Sequence, residues 1–250
     1  MDKNIFCFLI TTLAGCSTLL GIIPSYLKSN SKKVITCSLA FSAGVMLTIS
    51  LFSLIPEAVV LLSEKFYLFP AAILVAIFIV IGILFSAKVD QKIDDYVSNN
   101  RLYKLGLISI IVIFLHNIPE GITTFISTSV NTKLGLSLSL AIALHNIPEG
   151  ISIAVPIYYS TGSHKKAFWY TFFSGFSELF GAVIAYLFIA KHVNNMILSF
   201  ILATTAGIMM HISMYELLPN SLDYKDKKAT IVSFILGAIV MLTCEFVFHI

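Results

Sequence analysis

The hexapeptide His116-Asn117-Ile118-Pro119-Glu120-Gly121 recurs unchanged as His145-Asn146-Ile147-Pro148-Glu149-Gly150. Imidazole, amide and carboxylate are all metal donors, and a helix gathers the three of each copy on one side. At about 100° per residue, His116 at about 0° and Asn117 at about 100° flank Glu120 at about 40°, and His145, Asn146 and Glu149 repeat that fan. A carboxylate flanked on both sides can bridge two cations, one taken by the histidine and one by the asparagine, which is a binuclear arrangement. This donor set suits borderline and harder divalent ions such as Zn2+, Fe2+, Mn2+ and Co2+, and the lack of thiolates argues against a Cu(I) site. The imidazoles must be neutral and the carboxylates ionised to bind, so binding weakens as pH falls. Each proline also removes a backbone hydrogen bond and displaces the carbonyl four residues earlier, at Leu115 and Leu144, which opens the helix wall beside the donors. Gly121 and Gly150 let another helix or a hydrated ion approach. A lone copy could be a satisfied core histidine beside a kink; two copies meeting at one depth weigh against that.

The other carboxylates divide sharply. All six aspartates, Asp2, Asp90, Asp94, Asp95, Asp223 and Asp226, fall in the amino-terminal tail or in polar breaks, whereas Glu57, Glu120, Glu149, Glu178, Glu216 and Glu245 sit within apolar runs. An ionised group at the centre of a membrane helix costs at least about 2.5 to 3.5 kcal/mol. No lysine or arginine lies at that depth to pair with them, so a bound metal would supply the missing positive charge. Glu178, in the middle of its run, is a further ligand candidate. Glu57 and Glu216, near opposite ends of the path, and His211, inside the seventh run, are pathway candidates. Met46 is a weaker one, since methionine in such a run is more often core. His164, His192, His249 and Glu245 lie at or near helix ends and receive no role, with Glu245 expected at the outer leaflet boundary.

These donors need elements to hold them, and the composition says which. Of 250 residues, 58% are hydrophobic and 12% charged, with a mean hydropathy of +0.93, against about 25% charged in a soluble domain. About 20 apolar residues cross a bilayer. Apolar runs at about 4–27, 34–62, 68–87, 105–129, 134–160, 167–190, 196–219 and 229–249 predict eight transmembrane helices forming one polytopic domain over 1–250. The net charge of +3 is too small and scattered to suggest a nucleic-acid partner. Cys7, Cys16, Cys37 and Cys244 show no metal or redox spacing and are read as core residues.

Alternate breaks share a side. One set holds Lys28, Lys32, Lys33, Lys88, Lys92, Arg101, Lys104, Lys165, Lys166, Lys225, Lys227 and Lys228; the other, with the tail, holds only Lys3, Lys65, Lys133 and Lys191. The positive-inside rule puts the first set in the cytoplasm and both termini outside. Leu13-Ala14-Gly15-Cys16 resembles a lipoprotein cleavage box, but an internal counterpart of this segment favours a retained helix.

That counterpart belongs to a repeat. The run Ser42-Ala43-Gly44-Val45-Met46 through Leu54-Ile55-Pro56 aligns with Thr205-Ala206-Gly207-Ile208-Met209 through Leu217-Leu218-Pro219, and Gly15, Ser17, Leu19 and Gly21 align with Gly175, Ser177, Leu179 and Gly181. Helices 1 and 2 therefore look like copies of helices 6 and 7. On the charge count helix 2 runs outward and helix 7 inward, as in carriers built from inverted repeats with a midplane site.

Taken together, the paired HNIPEG motifs, the AGVML run of helix 2, the SGFSELFGA run of helix 6 and the ELLP end of helix 7 resemble the ZIP family of divalent metal transporters, and within it the bacterial zinc-uptake branch. The resemblance implies an all-α fold of eight helices in a three, two, three arrangement, with helices 1–3 and 6–8 as the inverted repeat. It further implies a binuclear centre, with His116, Glu120, Glu149 and His145 at the first metal and Asn117, Asn146, Glu149 and Glu178 at the second. Zinc would be the cargo, with Fe2+, Mn2+, Co2+ and Cd2+ as other candidates and no organic cofactor. The expected setting is a multi-pass protein of the bacterial inner membrane, whose partners are the ions, the lipid bilayer and, as an option, a second copy of the chain. The loop Lys88 to Lys104 departs from many relatives in lacking histidine.

The competing reading is an intramembrane metal-dependent hydrolase, with a metal-bound water and a glutamate base. It lacks an HExxH helix, and two identical hexapeptides do not divide into ligands and a distinct base. A proton-coupled exporter would use the same residues. No phosphate-binding loop of the Lys-Ser/Thr type suggests direct ATP drive.

Overall fold

The computed structural model describes residues 2–27, 31–96, 100–189 and 195–248; Lys28, Lys191, His192 and His249 lie outside them. Among the described residues, eight helices are long and apolar enough to cross a membrane. They are α1 (Lys3–Tyr26), α2 (Ser31–Ser63), α3 (Leu68–Tyr96), α4 (Arg101–Val130), α5 (Thr132–Thr161), α6 (His164–Leu187), α7 (Asn195–Leu222) and α8 (Lys227–Phe248). The predicted apolar runs find these helices within a few residues, except at one break. Helix α3 continues to Tyr96 and α4 begins at Arg101, so Asp90 and Lys104, expected in a loop, are helical. An apolar run stops at its first charges, whereas a helix continues while its backbone bonds hold. The start of α4 is fixed by Asn100, whose side chain accepts from the Tyr103 amide at 3.0 Å.

Prolines shape two other departures from regularity. A π turn at Ser50–Leu54 interrupts α2 and another at Ile212–Leu217 interrupts α7, each just before a proline, Pro56 and Pro219. A proline ring clashes with the carbonyl four residues earlier, here Phe52 and Tyr215, and a widened turn relieves the clash. Pro119 and Pro148 sit inside α4 and α5 without interrupting either helix.

Lipid is as apolar as a leucine side chain, so helices associate in a bilayer mainly where small residues let backbones approach. The glycines mark those seams. A Cβ on Gly44 would lie 2.2 Å from the Phe234 carbonyl oxygen, one on Gly207 2.1 Å from that of Ile79, and one on Gly15 2.5 Å from that of Gly175. Such contacts join α2 to α8, α3 to α7, and α1 to α6. With the remaining packing they build two four-helix bodies, α1 with α4, α5 and α6, and α2 with α3, α7 and α8. Between the bodies the contact is made by larger side chains, among them Ile35, Leu39 and Met46 of α2, Leu105 and Ile108 of α4, Ile151 and Val155 of α5, and Ile212 of α7. Met46, a weak pathway candidate, is 1% exposed in this cluster and packs there as core.

Candidate metal centre

Helices α4 and α5 pack along their lengths, and the two hexapeptides face each other in the middle of the first body. His116, Glu120, His145 and Glu149 are all buried and each offers one donor atom, all four lying within 4.8 Å of one another. His145 Nε2 lies 2.8 Å from Glu120 Oε1 in hydrogen-bond geometry. His116 Nε2 comes to 2.8 Å from that same oxygen and to 3.1 Å from Glu149 Oε1, yet it makes a hydrogen bond with neither. Four buried donors within this reach of one another are the arrangement a cation needs. The two carboxylates carry two negative charges, which a divalent ion cancels, and two imidazoles with two carboxylates are a four-donor set of the kind zinc takes.

A second group of acceptors lies beside the first. Asn146 Nδ2 donates to the Ala14 carbonyl at 3.0 Å and to Glu178 Oε1. Asn146 Oδ1 and Glu178 Oε2 are buried without a hydrogen-bond partner, and such oxygens cost about 1–3 kcal/mol each unless something meets them. Asn117 has two amide orientations. In one, Nδ2 donates to the Ser174 carbonyl at 3.3 Å; in the other it donates to the Ile113 carbonyl at 3.0 Å and to Glu149 Oε2 at 3.2 Å. The second orientation satisfies the amide and Glu149 Oε2 together, so Asn117 meets Glu149 directly.

Glu178 reaches this place because α6 rides on glycine. A Cβ on Gly121 would stand 1.9 Å from the Glu178 carbonyl oxygen. The Gly121→Ala variant is therefore expected to push α6 away, cutting metal transport about tenfold and stability by about 2 kcal/mol. Transport assays beside a thermal melt check this, and wild-type values in both would show that the seam can give.

A cavity of about 460 Å³ runs from His116, Glu120 and His145 toward the bundle end that carries Glu57 and the α4–α5 turn. Pro119 and Thr123 line one wall; Ser53, Leu198, Leu202 and Thr205 line the other. Glu57 is thus on the cavity wall. His211 and Glu216 are not. They lie at the opposite end of the bundle, where His211 Nδ1 is 3.0 Å from Ser86 Oγ and Glu216 lies beside Asp90. Lys104 Nζ sits 2.7 Å from Asp90 Oδ1 there, and Arg101 pairs with Asp223 nearby.

Glu245, expected at the outer leaflet boundary, is instead 8% exposed and accepts a hydrogen bond from Ser53 of the cavity wall. Ser53, Asp90 and Lys104 were not singled out in the sequence either. The repeat could have found two of them, since matching Gly44 with Gly207 sets Ser53 against Glu216, and matching Gly82 with Gly237 sets Asp90 against Glu245.

Comparison with known proteins bears on the same residues. The family profile described as ZIP Zinc transporter matches residues 90–245, which include every residue of the two donor groups. The zinc transporter ZupT of Streptococcus mutans is 35% identical, with 96% of this chain and 97% of that one covered. Those of Clostridium perfringens and Akkermansia muciniphila are 34% and 37% identical, with 96% of this chain covered in each case.

Proposed function

The chain belongs to the ZIP family of zinc transporters, and from that membership we propose that it takes up zinc across the bacterial inner membrane by alternating access. The family's activity makes it a transporter of divalent metal rather than an enzyme. The observation that carries the finer reading is the meeting of His116, Glu120, His145 and Glu149 at the floor of a cavity that reaches one end of the bundle only. Glu57, at the cavity's far end, would concentrate cations at its mouth.

The charge count assigns that mouth to the outside, with both termini there, because Lys65 and Lys133, which with Lys3 and Lys191 make up the smaller basic set, belong to that end and the larger set belongs to the other. Alternating access is supported by the two bodies: backbone seams hold each one rigid, and side chains alone separate them, so one can shift against the other. Two ions would share Glu149. The first takes His116, Glu120 and His145 besides; the second takes Asn117, Asn146 and Glu178, and the unpartnered oxygens of Asn146 and Glu178 favour it.

Uptake of radioactive zinc into proteoliposomes tests the proposal, with Fe2+, Mn2+, Co2+ and Cd2+ as competitors to rank the cargo. Zinc that binds stoichiometrically but never crosses would overturn it. The ligands predict a pH dependence as well. Protons compete for both histidines, so zinc affinity is expected to fall as pH is lowered, with protons released on binding. Calorimetry in two buffers of different ionisation enthalpy counts those protons, and no release would remove the histidines from the ligand set.

A further inference from the structure

Within the two bodies, the glycine seams of one half of the bundle match those of the other. Gly44 seats on Phe234 as Gly207 does on Ile79; Gly237 seats on Phe41 as Gly82 does on Thr204; Gly150 seats on Thr18 as Gly121 does on Glu178. This correspondence exchanges α1 with α6, α2 with α7, α3 with α8, and α4 with α5. Under it Glu216 answers to Ser53, Asp90 to Glu245, and Lys104 to Lys133.

Contacts that keep each body rigid obey the exchange, and contacts between the bodies break it. Ser42 Oγ donates to the Pro148 carbonyl at 2.7 Å, whereas their counterparts Thr205 and Pro119 both line the cavity. Ile35 and Leu39 are buried against the other body, whereas Leu198 and Leu202 line the cavity. The cytoplasmic half is shut and the outer half open.

The charged groups follow the same division. In the shut half Glu216 lies beside Asp90, and Lys104 of the other body lies 2.7 Å from Asp90. In the open half the first contact has its counterpart, Ser53 to Glu245, but Lys133 is exposed and forms no ion pair with Glu245. We propose that Lys133 and Glu245 form the ion pair that shuts the outer half, and that it replaces the Lys104 and Asp90 pair when the inner half opens. The inference rests on the alternating-access reading. A carrier must populate both states, and exchanging one lysine–carboxylate pair for an equivalent one keeps their free energies close. Water entering the opened half solvates the pair that has parted, which limits the cost of separating it.

The test uses the full chain with its native cysteines replaced by alanine, in proteoliposomes that still take up zinc. One variant carries Asp90→Cys with Lys104→Cys, the other Lys133→Cys with Glu245→Cys, and both are treated with a short bifunctional methanethiosulfonate. Each pair is expected to cross-link and to halt uptake. With all four substitutions, linking the first pair is expected to prevent linking of the second. Equal yield at the second pair before and after locking the first would overturn the proposal. So would no yield there while uptake continues, an outcome that leaves the transport reading standing. Absence of uptake in the wild type would instead defeat the transport reading.

Charge exchange supplies an arm that does not depend on thiols. Lys133→Glu is expected to slow uptake about fivefold, the scale of one partly exposed ion pair, and adding Glu245→Lys is expected to restore it. A double variant as slow as the single one would overturn the pair.

Discussion

Glu149→Ala is expected to abolish zinc uptake and to strip both metals from the purified protein. Glu149 is fully buried. One oxygen lies 3.1 Å from His116 Nε2 and the other lies beside the Asn117 amide, so this side chain alone touches both donor groups. Its removal takes away one of the two negative charges that offset a dication at the first centre and the shared ligand of the second. Losing one ligand with its charge amounts to at least about a hundredfold in affinity, enough to empty the site at micromolar zinc. Metal analysis after desalting, beside flux in proteoliposomes, checks both halves of the expectation. A variant that retains two metals per chain would show that Glu149 bridges nothing.

Glu178→Ala is expected to separate the two metals. Glu178 is fully buried and tied to Asn146, but it is not among the four residues whose donors converge at the first centre. Removing it should halve the metal content, leave the first site with wild-type affinity, and lower flux about tenfold or more if both ions are needed at each turnover. Identical stoichiometry in the Glu149 and Glu178 variants would remove the distinction between the sites. The alanine also leaves Asn146 Nδ2 with the Ala14 carbonyl at 3.0 Å as its remaining acceptor, so a melt should accompany the assay.

The cluster of His116, Glu120, His145 and Glu149 was legible in the sequence because its geometry is local. His116 and Glu120 are one helical turn apart, as are His145 and Glu149, and two helices joined by a short turn bring equal depths together. The spans were legible because an apolar run is a strong signal over about 20 residues. What could not be read was the rotation of each helix about its axis. Membrane helices are apolar on every face, so hydropathy does not say which face turns inward. That is why Glu245 was expected near lipid and Met46 was admitted to the path, whereas the structure turns Glu245 onto Ser53 and buries Met46 in the core. Asp90 with Lys104 was hidden for a further reason. Both lay in what looked like a loop, and a pairing between two helix ends leaves no periodic trace.

The π turns of α2 and α7 set the phase of the helices that contain them. A π turn accommodates one residue more than the α-helix would at the same place, so everything beyond Ser50–Leu54 is turned by about 100° relative to an unbroken helix. Ser53, Pro56 and Glu57 come to the cavity wall on that altered phase. Deleting a single residue from the turn would hardly shorten α2, but it would swing Glu57 off the wall while leaving Gly44 in its seam with α8. The lining of the cavity at its Glu57 end is thus encoded as a count of residues, which a one-residue insertion in the turn undoes as thoroughly as any change of side chain.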